Sequence, residues 1–176
     1  MKKLGRSSIS YYYIKLVKQK GTPDYVSRGV AIGLFVGFFV PFLGQMIAAF
    51  ALAMIFKAAK VPALACTWVT NYFSIPIIYP IQCFVGSYLI GNPFSYEQIK
   101  ALFVDFIKEP GFETFSALGT DIALAFFAGG LLFGSISALI GYYLSMRLIN
   151  RHRKKIKQRK KEKERRHRRL HAHTNH

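Results

Sequence analysis

Three stretches of the chain carry no charged residue: Gly29–Phe56, Val61–Tyr96 and Ile122–Met146. Each is at or beyond the roughly 20 apolar residues that cross a bilayer as a helix. The first is interrupted at its centre by Pro41 and Gly44, and Gln45 opens its second half. Split there, the pattern predicts helices over Gly29–Val40 and Gln45–Phe56, each about 18 Å long at helical rise, half a bilayer plus its interface. That is the size of a re-entrant hairpin. Gly29, Gly33 and Gly37 recur every four residues and give the first of these helices a smooth face for close packing.

The second apolar run is broken as well. Pro62 suits a first helical turn, and Pro76 and Pro80 are structural breaks. The residue before a proline disfavours helix, so a helix from Ala63 is expected to end before Pro76. A second helix from about Pro80 to Ile90 then finishes the run, with Gly91 as its cap. Residues 62–91 read as one kinked crossing, and a second hairpin is the rival. Ser95-Tyr-Glu-Gln98 fits a capping box for an amphipathic helix over 95–107. It lies on the outer membrane surface or lids a cavity; a soluble helix packed on the loop is the alternative. The last run, 122–146, is a continuous span. Its Gly130 and Gly134 form a small-residue pattern for helix packing.

Charge orients these segments. The net charge of +17 is concentrated at the two ends. Residues 1–28 hold seven Lys or Arg against Asp24 alone, and residues 147–169 hold fourteen against Glu162 and Glu164. The segment 92–121 is acidic instead. Lys and Arg mark the cytoplasmic side, so both termini are expected there. The number of full crossings is then even. A re-entrant hairpin at 29–56, one broken crossing at 62–91 and one span at 122–146 satisfy that parity. The fold class expected is therefore an all-α integral membrane protein with a basic N-terminal segment (1–28) and a membrane domain (29–146). The basic tail (147–176) reads as disordered beyond its first turns and attracted to anionic lipid headgroups. Nothing in it supports sequence-specific reading of nucleic acid. No cleavable signal sequence is expected.

Between Asp24 and Glu97 there is no acid, and all five histidines lie in the tail. Triad hydrolysis lacks its base at membrane depth, and a metal site lacks its ligands. No catalytic residue, metal or cofactor is predicted. Cys66 and Cys83 read as small buried hydrophobes. The polar groups left in the apolar part suggest a substrate-binding set of Arg28, Gln45, Thr67, Asn71 and Tyr79. They would form a pocket between the hairpin tip and the second break, suited to a neutral or anionic group. The alternative is that Gln45 and Asn71 only satisfy broken backbone or hold helices together.

Read together, Ala31-Ile-Gly33, Phe35, Pro41, Gly44-Gln45, Ala49, Leu52-Ala53, Pro62, Thr67-Trp68, Asn71, Pro76, Tyr79, Tyr88 and Gly91 resemble the bacterial membrane family called domain of unknown function 2062. Tyr72 stands where that family usually has a Pro, and Lys60-Val61 where it has an Asn. The resemblance implies an integral protein of the bacterial inner membrane. Some relatives appear joined to glycosyltransferase domains, an analogy with envelope-lipid work. Two functions are carried forward. One is a transporter or lipid-handling protein for a neutral or anionic substrate, acting as a homo-oligomer where one chain cannot enclose a path. The other is a non-catalytic scaffold or accessory subunit of an envelope-biogenesis enzyme.

Overall fold

The computed structural model describes residues 21–42, 44–97, 99, 100, 104 and 119–174, with side chains in the last helix described for 120–159, 161 and 162. The N-terminal segment 1–20 and most of the expected amphipathic helix at 95–107 lie outside these residues. Within that helix Tyr96, Glu97, Ile99, Lys100 and Val104 are helical. Among the described residues the protein is all-helical, with no strand.

Helix α1, Pro23–Phe39, opens on Thr22, whose hydroxyl accepts from the Tyr25 amide at 3.1 Å. Pro23 sits where a missing N–H costs nothing, and Asp24 faces the positive end of the helix dipole. The helix ends at Val40, which is extended (φ −101°, ψ 133°) because Pro41 follows it. After a turn, α2 (Gln45–Ile55) runs back. Its end returns to the start of α1, where the Arg28 guanidinium donates to the Phe56 carbonyl at 3.3 Å. The Ala59 amide donates to Tyr25 O there as well, at 3.0 Å. Helix α3, Lys60–Cys66, then runs alongside α1 in the same direction and tightens into a 3-10 turn over Thr67–Val69.

The second break falls at Thr70–Ser74, ahead of the prolines expected to cause it. Helix α4, Ile75–Leu89, starts before Pro76 and contains Pro80. Pro76 is in the first turn, where the donor it lacks is not needed. Pro80 forfeits one intrahelical bond without ending the helix. The break is made by Asn71 and Ser74 instead. Asn71 Oδ1 accepts from the amides of Phe73 (3.0 Å) and Ser74 (3.1 Å), and Ser74 Oγ donates to Val69 O at 2.8 Å. These bonds make the tight turn without a proline at Tyr72.

Helix α5 runs from Thr120 through Thr174 without interruption, so the tail expected to be disordered continues as helix. Lys, Arg and Glu are good helix formers, and Glu162 and Glu164 each have a basic residue four positions on, Arg166 and Arg168. Helices α1 and α4 both pack antiparallel to α5, one after the other along its length. Asp24 of α1 meets Tyr142, and Asn92, just past α4, meets Asp121. The stretch of α5 between these two levels is about 31 Å long. Halfway along it the end of α1 meets Gly130.

Glycines set these contacts. A Cβ on Gly29 would lie 2.3 Å from the Ala59 carbonyl oxygen, and one on Gly33 2.2 Å from that of Ala63. On α5, a Cβ at Gly129 would lie 2.0 Å from Gln82 O, at Gly130 2.8 Å from Phe38 O, and at Gly134 3.0 Å from Phe35 O. At Gly86 it would fall 1.8 Å from Ala125 O. Gly86→Ala is therefore expected to destabilise the fold by about 1–3 kcal/mol or more, since backbone must move on both sides. Gly37→Ala meets only ordinary contact, 3.4 Å from Thr67 O, and is expected to stay within about 1 kcal/mol of the parent. Thermal unfolding followed by helicity reads both; equal losses would contradict this packing.

Candidate functional site

Proline at 41 removes the amide that would have bonded the Gly37 carbonyl, and the end of α1 frees the carbonyls after it. Three side chains from other elements take their places. Gln45 Nε2, from the first turn of α2, donates toward Gly37 O at 3.1 Å and Val40 O at 3.0 Å. Thr70 Oγ1 donates to Gly37 O at 2.6 Å. Gln82 Nε2, from α4, donates to Phe38 O at 3.0 Å and to Phe126 O of α5 at 2.9 Å. All three residues are buried. Gln45 Nε2 also lies 2.8 Å from Thr70 Oγ1 and 3.2 Å from the Tyr79 hydroxyl. The amide of a single glutamine thus ties α1, α2, the second break and α4 together.

Beside this network lies a cavity of about 510 Å³, lined by Phe42, Gln45 and Met46 from the first tip and by Thr67, Trp68, Thr70, Asn71, Tyr72 and Phe73 from the second. Its walls are mostly apolar and aromatic. Phe73 is 88% exposed and Trp68 67%, so the rim faces outward rather than into the helix core.

The five residues proposed from sequence separate into two groups. Gln45, Thr67 and Asn71 line the cavity, and Tyr79 is buried behind it, stacked edge-on against Phe126 at 4.9 Å between ring centroids. Arg28 is not with them. It stands about 16 Å back along α1, where it pairs with Asp24 one turn away and holds the Phe56 carbonyl. A cation four residues from an acid near the start of a helix finds its partner locally, before any pocket can claim it. The Asp24 carboxyl is held below its ordinary value, chiefly by the Tyr142 hydroxyl that donates to it at 2.7 Å and then by Arg28. This clasp therefore contributes above the usual carboxylate range and is lost as pH falls through the lowered value.

The binding set proposed from sequence does not include Thr70 or Gln82, polar residues inside apolar runs, nor the aromatic wall of Phe42, Tyr72 and Phe73. Among the described residues no group of His, Cys, Asp or Glu could hold a metal ion. The free cysteines are apart from the cavity: Cys66 packs against Gly33, and Cys83 Sγ lies 4.0 Å from Ile122 O.

Gln45→Leu keeps most of the volume but orphans the Val40 carbonyl and leaves that of Gly37 to Thr70 alone. It is expected to cost about 1–3 kcal/mol. Arg28→Leu should leave the cavity's ligand behaviour unchanged while loosening the base of the hairpin. Thermal unfolding of the two purified variants separates these effects; a neutral Gln45→Leu would refute the capping role.

No curated protein and no solved structure matches the chain. A family model described as "Uncharacterized protein conserved in bacteria" matches residues 6–158. With the broken helices, the two glutamines and the paired tips all inside the matched span, the chain belongs to this bacterial family, domain of unknown function 2062.

Proposed function

We propose that this is an integral protein of the bacterial inner membrane that handles lipid, by taking a hydrocarbon chain into the cavity between its two helix tips. In this reading α1 and α2 form a cytoplasm-facing re-entrant hairpin, α3 and α4 one broken crossing, and α5 a full crossing, with both termini in the cytoplasm. Helix α5 is long and apolar enough to span, and only 28% of its most apolar window is buried within the protein. The central helix of a soluble fold would be mostly covered. Large apolar side chains are exposed all along the bundle, among them Ile47, Phe50 and Met54 on α2, Ile77 and Ile81 on α4, and Leu131, Leu139 and Ile140 on α5. Such a surface is stable against acyl chains and a liability in water.

The position and lining of the cavity carry the functional reading. It sits about halfway along the apolar segment of α5, where a bilayer offers hydrocarbon, and its walls are apolar and aromatic. An anionic group finds no cation in the lining. That narrows the substrate expected from sequence, neutral or anionic, toward the apolar part of a lipid. One observation favours a second reading, a scaffold or accessory subunit of an envelope enzyme. Thr70, Gln82 and the Gln45 amide nitrogen are engaged with backbone, as structural glue would be.

Trp68 is the single tryptophan of the chain and lines the cavity, which makes it a native probe. In bilayers of phosphatidylcholine brominated either deep in the acyl chains or near the glycerol, the deep bromines should quench Trp68 fluorescence more strongly. Stronger quenching by the shallow bromines would place the cavity at the interface and overturn the reading. Reconstituted vesicles separate the two functions: lipid movement by the protein alone supports handling, and activity only with a partner enzyme supports the scaffold.

A further inference from the structure

The cavity has a polar floor that the fold leaves incomplete. Among the described residues two buried side-chain atoms are sealed away without a partner, Ser27 Oγ and Gln82 Oε1. Gln45 Oε1 also has no partner among the described residues, but it is not one of the sealed atoms. Gln45 is 2% exposed and lines the cavity. Its orientation is fixed, because only the NH2 group can donate to the Gly37 and Val40 carbonyls. The oxygen is therefore an acceptor left for whatever fills the cavity.

Donors stand next to it. Helix α2 begins at Gln45 with Gly44 as its N-cap, and glycine has no side chain to receive the first-turn amides. Among the described residues nothing accepts from the amide of Gln45 or Met46. In a hydrocarbon setting an unmet donor and an unmet acceptor are each costly, and water is scarce. One group that both donates and accepts would meet both needs.

We infer that the cavity receives a neutral lipid with a free hydroxyl group, such as a diacylglycerol. The hydroxyl donates to Gln45 Oε1 and accepts from a first-turn amide of α2, and the chains lie along Phe42, Trp68 and Phe73. This rests on the lipid-handling reading above and names the class of lipid. Depth selects the same class. A phosphate or zwitterionic head cannot leave the interface for mid-bilayer without a large desolvation cost, whereas an uncharged alcohol can. An anion would also face Gln45 Oε1 with no cation in the lining to offset it.

The test varies the ligand rather than the protein, because Gln45 also holds the fold. The full chain is placed in phosphatidylcholine nanodiscs and titrated with diacylglycerol brominated deep in its chains. The same lipid with its hydroxyl acetylated and the corresponding phosphatidic acid are titrated in parallel. Trp68 quenching should saturate at low mole fraction for the alcohol. Apparent affinity for the other two should be weaker by about tenfold, the loss of one hydrogen bond. Equal affinity for the acetylated lipid, tighter binding of phosphatidic acid, or quenching linear in mole fraction for all three would overturn the inference. The bromine-depth experiment distinguishes the failures. If deep bromines quench Trp68 but the three lipids are alike, hydroxyl recognition falls and the lipid-handling reading stands; if the shallow bromines quench more, both fall.

Discussion

Everything else in this fold depends on how the carbonyls at the end of α1 are satisfied. Pro41 takes away a donor, the chain turns, and Gly37, Phe38 and Val40 are left with oxygen atoms inside an apolar protein. Burying such groups unmet costs a kcal/mol or more each, and solvent cannot help. The chain answers with Gln45, Thr70 and Gln82, drawn from three separate segments. The requirement to cap one short stretch of backbone thereby fixes the position of α2, of the second break and of α4 relative to α1.

Such long reach through side chains works only if the helices are close. The glycines make it so. Gly29 and Gly33 bring the backbone of α3 against α1, and Gly86, Gly129 and Gly130 bring α5 against α4 and the end of α1. Gln82 shows the coupling most directly. Its amide lies in the gap that Gly130 leaves, between the α1 and α5 carbonyls it serves, so a larger residue at 130 would displace the donor as well as the helix. Close packing and hydrogen-bond satisfaction are one constraint here, not two.

Much of this was legible in the chain itself. The break at Pro41–Gly44, the return helix from Gln45 and the long last helix follow from apolar periodicity and proline chemistry. The second break was misplaced because Pro76 and Pro80 are louder signals than Asn71 and Ser74. Yet a proline in a first turn begins a helix as readily as it ends one, and an Asn–Ser pair turns the chain by side-chain bonds that no periodicity reveals. In the tail a run of like charge suggests disorder, while the helix propensity of Lys, Arg and Glu and continuity with α5 favour the helix observed. Chemical type alone groups Arg28 with the pocket. Its separation follows from Asp24 four residues before it, a local pair visible in the sequence and outweighed there by the appeal of a lone cation. The aromatic wall was invisible for a different reason. Phe42, Tyr72 and Phe73 meet only because two turns from distant parts of the chain meet.

The same constraint explains why a cavity exists at this level. A continuous helix leaves no unpaired backbone and packs without gaps. Two helices that stop halfway leave turns, and turns pack less well than helical faces. The side chains that rescue the carbonyls are turned toward α1, and the cavity beside them is lined largely by aromatic residues. The glutamine that completes α1 with its nitrogen leaves its oxygen without a partner among the described residues, beside a helix start whose N-cap is a glycine. A fold that satisfies its own backbone at a mid-length break in this way leaves the Gln45 oxygen and the neighbouring amides without partners among the described residues, and a small neutral polar group can complete them.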